Sequence, residues 1–291
     1  MKAYRQLTFR NGNVCLTAVA AGPEGGIPLL LLHGFPEFWY GWRRQIDALA
    51  ESGFRVVVPN QRGYGTSSKP QSVSAYSVAH LTSDVLALAD QSGWRRFCLA
   101  GHDWGAAIAW NFALQHPDRV SRLMILNVPH PSVMLRYVRT SPTQMMRSWY
   151  ILFFQLPWLP EKLLAAGNFR LLVSSLVRTS RPEAFSAEDL RRYREAWSQP
   201  GALRSMIHWY RAAARYRPKI ADPQVRVPVK ILWGVHDPFL RFRMAEESLR
   251  YCQQGELVRF DDCTHWIQHE APERVNRLMI EFFNEKSLCK E

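Results

Sequence analysis

The stretch CLAGHDWGAAIAW, residues 98–110, decides how this chain is read. An apolar run stops at Gly101, a helically spaced run opens at Gly105, and Asp103 stands midway between the two glycines. A Gly-x-nucleophile-x-Gly turn between strand and helix strains its central residue at the carboxyl edge of a sheet, while the flanking glycines let neighbouring backbone pass close. On these residues alone two readings stand. Asp103 is either a carboxylate occupying a nucleophile's position, or the N-cap of an ordinary strand-to-helix turn.

Working outward, PLLLLHG (28–34) and FRVVVPN (54–60) are short apolar runs ended by turn formers, as buried strands are. Residues 4–20 alternate weakly around NGN, a hairpin signal, and VSRLMILNVP reads as a further strand. EFWYGWRRQIDALAESG, VAHLTSDVLALADQSG and WGAAIAWNFALQHP have helical periodicity and end at Gly or Pro. Strands alternating with helices imply an α/β fold: a mostly parallel sheet flanked by helices on both faces. From residue 131 the strand-like runs vanish, and helical segments broken by Pro and Gly take over. Sheet texture returns in VPVKILWGVHD (227–237) and GELVRFDDC (255–263), before the amphipathic APERVNRLMIEFFNEK. The expected division is a core in two parts, 1–130 and 220–291, interrupted by a helical cap over 131–219.

The composition narrows the class further. The chain has 291 residues, 47% of them hydrophobic, with no apolar run of the ~18 residues a membrane span needs. The N-terminus has no apolar signal core and reads as a strand start. Cysteines at 15, 98, 252, 263 and 289 form no CxxC pair, which disfavours a disulfide framework or a zinc site and suggests a reducing cytoplasm. The formal charge of +12 is regional: +4 over 1–130, +10 over 131–220 and −2 over 221–291. The arginines are scattered through helical sequence with no basic stripe or recognised module, so nucleic acid is not an expected partner. Exposed apolar sequence in the insertion could support a homodimer.

What favours the nucleophile reading is the order of its partners. Asp237 closes ILWGVHD and His265 follows VRFDDCTH, each at a strand's carboxyl end and in the sequence nucleophile, acid, histidine. Crevices outside such ends are where α/β sheets bind ligands. In LLHGFPEFWYGW, the segment His33, Gly34, Phe35, Pro36 follows a strand, and its backbone could complete an oxyanion hole. Phe35 and Trp104 are the expected N–H donors, and His33, Gly34 and Pro36 shape the loop. Trp39, Phe153, Trp209 and Trp266, like Phe35 and Trp104, could line an apolar pocket or simply be core.

Together, HGFPEFWYGWR, RGYGTSSKP, GHDWGA, WYILFFQLPWLPE, HWYR, WGVHDPFL and CTHWIQHE make the chain resemble an α/β-hydrolase of the epoxide hydrolase family over nearly its whole length. The resemblance implies Asp103 as nucleophile, His265 as base, Asp237 as its orienting acid, and Tyr150 and Tyr210 as cap tyrosines gripping the epoxide oxygen. One departure stands out: His208 occupies the HWYR position where family members commonly carry Asn. Without the resemblance, Tyr193 and Tyr216 would be equal contenders for the tyrosine role.

A carboxylate suits this chemistry, because Asp is already ionised at neutral pH and needs no base to attack carbon. The expected reaction converts an epoxide and water to a vicinal diol through a hydroxyalkyl ester, with no metal or organic cofactor. Two other classes compete. A haloalkane or haloacid dehalogenase shares the ester chemistry, but HGFP carries no Asn beside it and no GHDRG occurs. A non-catalytic small-molecule-binding homologue has no need of the three catalytic positions together. A serine esterase is disfavoured because no G-x-S-x-G occurs.

Overall fold

The computed structural model describes residues 4–285 apart from Arg217, Lys219 and Ala221. Cys289, the final Lys286 of the expected closing helix and Lys219 at the expected end of the insertion lie outside the described residues.

The chain opens with the hairpin β1 (Arg5–Asn11) and β2 (Val14–Ala21), then β3 (Ile27–Leu32), a 3₁₀ turn Trp39–Trp42, α1 (Arg43–Glu51) and β4 (Phe54–Pro59). Next come α2 (Val78–Gln91), β5 (Phe97–His102), α3 (Trp104–Gln115) and β6 (Val120–Leu126). Helices fill the interval before the next strand: α4 (Pro131–Thr140), α5 (Pro142–Arg147), α6 (Trp149–Phe153), α7 (Leu159–Thr179), α8 (Ala187–Trp197) and α9 (Ala202–Arg215). The sheet resumes with β7 (Val229–Gly234), α10 (Arg243–Ser248) and β8 (Gly255–Phe260), and the described chain closes on α11 (Ile267–Glu270) and α12 (Pro272–Asn284).

One eight-stranded sheet runs in the order β1-β2-β4-β3-β5-β6-β7-β8, antiparallel at β1-β2 and β2-β4 and parallel elsewhere. Its central strands are apolar without alternation because both faces are covered. The period of two still sorts the side chains. Leu30, Leu32 and Leu99 enter one core cluster, while Leu29, Leu31, Cys98 and Ala100 enter the other, all essentially inaccessible. Burying each leucine side chain contributes ~1.5–3 kcal/mol, so these strands hold the sheet rigid beneath the loops at its carboxyl edge.

The strand order reverses direction between β3 and β5. From β3 the chain steps outward to β4, then returns to the opposite side of β3 as β5, paired with Leu32 beside Gly101. Loops leaving two such strands diverge and leave a crevice above the sheet, here between residues 33–36 and the turn at Asp103.

Candidate active site

The turn at Asp103 is strained, with φ 48° and ψ −124°, as few non-glycine residues are. Its glycines explain how it is tolerated. A Cβ on Gly105 would lie 2.2 Å from the Leu32 carbonyl oxygen, and one on Gly101 would lie 2.5 Å from the Gly105 backbone. A Cβ on Gly34 would meet the Asp103 Cβ at 2.3 Å. Close packing of this kind drives the Asp103 side chain against the residue 33–36 loop, and the Phe35 N–H donates to its Oδ1 at 2.7 Å. Asp103 caps no N–H of α3 with its side chain, so the carboxylate is available to the crevice and is 19% exposed. Trp104 is the first residue of α3, and its N–H has no carbonyl one turn earlier in the helix.

His33 braces this loop from below: its Nδ1 lies 3.0 Å from the Gly34 oxygen and its Nε2 accepts from the Gln61 N–H. Burial pushes its pKa down to about 4, in keeping with a neutral ring that donates at one nitrogen and accepts at the other. Pro36 follows Phe35 through a cis peptide, and its carbonyl accepts from the Trp197 indole of α8 at 2.6 Å.

The loop after β7 carries Asp237 and the loop after β8 carries His265. His265 Nδ1 lies 2.7 Å from Asp237 Oδ2, and its Nε2 lies 3.6 Å from Asp103 Oδ2. Asp237 is buried and held fast, its Oδ1 accepting from the N–H groups of Phe239 and Leu240 and its Oδ2 from the Asn127 amide at 2.8 Å. Burial opposes a charge on His265, yet the Asp237 charge and contact with Asp103 prevail and raise its pKa to about 10. Burial likewise works to raise Asp103, but the contact and charge of His265, the charge of His102 and the Phe35 N–H hold it below the ordinary carboxylate value.

Across the crevice stand Tyr150 from α6 and Tyr210 from α9, ring centroids 5.9 Å apart and nearly perpendicular. The Tyr210 ring packs edge-on against Trp104 at 4.9 Å and Phe35 at 5.3 Å. Burial first, then the Asp103 charge, drives both hydroxyls well above their usual pKa, so both remain protonated donors. The Gln155 amide ties the two helices together by donating to the Tyr210 carbonyl.

Of the expected pocket residues, Trp266 packs against the His265 ring at 5.1 Å, and Trp209 lies behind Trp104 with its indole donating to the Arg62 carbonyl. Trp39 is not brought to the crevice, since its ring contacts are Tyr4, Phe38 and Tyr40. Phe153 contacts Trp149 and Phe154, whereas Phe154 itself packs on Tyr210, Phe35 and Tyr150. His208 turns away toward the Gln71 carbonyl and the Tyr76 ring, whereas Tyr210 lies close enough to Asp103 to feel its charge.

Four further contributors lay outside the sequence-based expectation. Asn127, with φ 54° at the end of β6, supports Asp237. Phe239 packs on both His265 and Tyr150. His102, immediately before Asp103, lies with Nε2 2.9 Å from the His265 carbonyl, and its Nδ1 lies 3.3 Å from the buried Glu37. Glu37 also accepts from the Tyr193 hydroxyl of α8 and from His269, so one buried carboxylate links elbow, histidine loop and helical insertion. Among the described residues no group of three or more His, Cys, Asp or Glu side chains is arranged to hold a metal ion, and no helix is long and apolar enough to cross a membrane.

Residues 27–272 match the α/β hydrolase fold family, and the chain therefore belongs to it. It is 41% identical to AB hydrolase superfamily protein YfhM of Bacillus subtilis, over 95% of this chain and 96% of that protein. Human epoxide hydrolase 4 is 37% identical over 94% of this chain and 76% of its own length. A solved structure from work on epoxide hydrolases in metagenomes from hot environments superposes with a TM-score of 0.88 at 33% identity, covering 98% of this chain and all of that one. Within the α/β hydrolases, the chain's place is with the epoxide hydrolases.

Proposed function

We propose that the protein opens apolar epoxides to vicinal diols in two covalent steps centred on Asp103. The observation that carries this is the pairing of an ionised carboxylate, backed by His265, with two protonated tyrosines across the same crevice. In the first step Asp103 Oδ2 attacks a ring carbon, the carbon–oxygen bond breaks, and its electron pair takes a proton from Tyr150 or Tyr210. A strained ring with a poor leaving group needs this acid assistance, because the alkoxide would otherwise carry a full charge in an apolar site.

In the second step the imidazolium of His265, no longer held by the Asp103 charge, gives its proton by way of water to the tyrosinate left by ring opening, and the neutral ring, oriented by Asp237, takes a proton from a second water, which attacks the ester carbon. Charge then develops on Oδ1, where the Phe35 N–H, joined by that of Trp104, receives it. Collapse expels the diol with Oδ2, protonated by His265, and leaves the water oxygen on Asp103. The remaining water proton passes from the regenerated Asp103 carboxyl to His265 and restores the resting ion pair. No metal or cofactor enters the scheme.

Retention of free Cys15, Cys98, Cys252 and Cys263 supports placing this activity in a reducing cytoplasm. The test is turnover of a styrene-type epoxide beside a chloroalkane. Diol from the first, no halide from the second, and loss of diol formation in Asp103→Ala is the expected result. Halide release without diol would transfer the site to dehalogenation.

A further inference from the structure

The helices that roof the crevice carry a second surface on their outer side. Ser148, with φ −95° and ψ 13°, separates α5 from α6, but its N–H donates to the Gln144 carbonyl and its own carbonyl accepts from the Ile151 N–H, so the two short helices follow one another without a loop between them. Gln144 and Ser148 are buried on the inner side, where Tyr150 meets Tyr210. Outward point Met145, Met146, Trp149 and Leu152, followed by Leu156 and Trp158, with Met146 and Leu152 each 75% exposed. Positions 145, 149 and 152 form a stripe at helical spacing, and Leu156 and Trp158 continue the apolar exposure in the bend that follows α6. A contiguous patch of large apolar side chains is uncommon on a protein surface and marks a binding face.

Charge selects its occupant. Residues 131–180 contain six Arg and Lys but a single acid, Glu161, which is engaged by Arg211. Arg136 pairs with Glu247. Among the described residues no carboxylate pairs with Arg139, Arg147, Lys162, Arg170 or Arg178, all exposed on the helices that bear or adjoin the stripe. A second copy seated on this face would set two strongly positive surfaces against each other. An anionic bilayer offers the opposite charge at its headgroups and an apolar layer beneath for Trp and Leu side chains.

We propose that the stripe over 145–158 docks the protein on anionic lipid surfaces, as a peripheral attachment. The test uses the full chain in co-sedimentation with vesicles of pure phosphatidylcholine and of phosphatidylcholine containing phosphatidylglycerol. Binding is expected to be about tenfold or more stronger to the anionic vesicles and to weaken as salt rises. Met146→Ser/Leu152→Glu is expected to lose that binding while keeping its Tm and its turnover of a water-soluble epoxide. Arg139→Glu/Lys162→Glu is expected to erase the preference for anionic lipid. Equal binding to both vesicle types, no binding to either, or indifference to these substitutions would overturn the proposal. So would a dimer, seen by sedimentation velocity without lipid, that Met146→Ser/Leu152→Glu dissolves.

Discussion

His265 Nε2 lies 3.6 Å from Asp103 Oδ2, close enough for each charge to stabilise the other but beyond hydrogen-bond length. The two side chains are therefore an ion pair before substrate arrives, and the proposed ester would remove one of its two charges. On the proposed route that loss would release the proton from His265, which then serves as a base at the moment one is needed.

Replacing Asp103 with Asn mimics the uncharged ester. The raised His265 pKa, about 10, means the imidazolium persists across neutral pH and stabilises the fold. That contribution is complete below the ordinary histidine value of about 6.5 and fades as pH rises through about 10. In Asp103→Asn, ¹⁵N imidazole titration should show the His265 pKa falling by a unit or more. An unchanged value would mean that Asp103 does not hold the proton there.

His265→Gln should form the ester and stall, with kcat down by ~10²- to 10⁴-fold, the usual worth of a general base. Intact-protein mass spectrometry after mixing with epoxide should show a mass increase equal to one substrate molecule. Rapid turnover with no adduct would assign water activation elsewhere.

Tyr150→Phe and Tyr210→Phe should each slow ester formation by ~10²-fold, comparable to deleting one donor to a developing oxyanion. The double variant should be slower again. Stopped-flow rates of the first step provide the measurement, and an effect confined to the second step would contradict the assigned roles.

Asn127→Ala removes the amide that donates to Asp237 Oδ2 and the oxygen that accepts from the Gly234 N–H. Leaving the buried Gly234 N–H unpaired costs roughly 1–3 kcal/mol, and Asp237 Oδ2 keeps only its contact with His265, so thermal unfolding should shift down by a few degrees. Catalysis should fall mainly in kcat, because Asp237 orients His265 and touches no substrate.

The alternation of apolar runs made the sheet legible, since β3, β5, β6 and β7 are short, buried and closed by Gly, Asn or His. Asp103, Asp237 and His265 were visible as candidates because each follows such a run. Side-chain direction within the helices was harder. Phe153 and Phe154 stand three and four residues after Tyr150, about 60° and 40° to either side of it, so helical spacing alone does not tell which of them meets the tyrosines. Trp39 went elsewhere because the 3₁₀ turn at Trp39–Trp42 has no periodicity long enough to phase it. Asn127 and Glu37 act through contacts 110 and 231–232 residues distant in sequence, to Asp237 and to Gln268 and His269, which no local pattern encodes.

The most direct test is a single turnover in ¹⁸O-labelled water with enzyme in excess. Attack by Asp103 predicts an unlabelled diol from the first turnover and one heavy oxygen in the peptide that contains Asp103. Heavy oxygen appearing directly in the diol, with that peptide unlabelled, would contradict the covalent route.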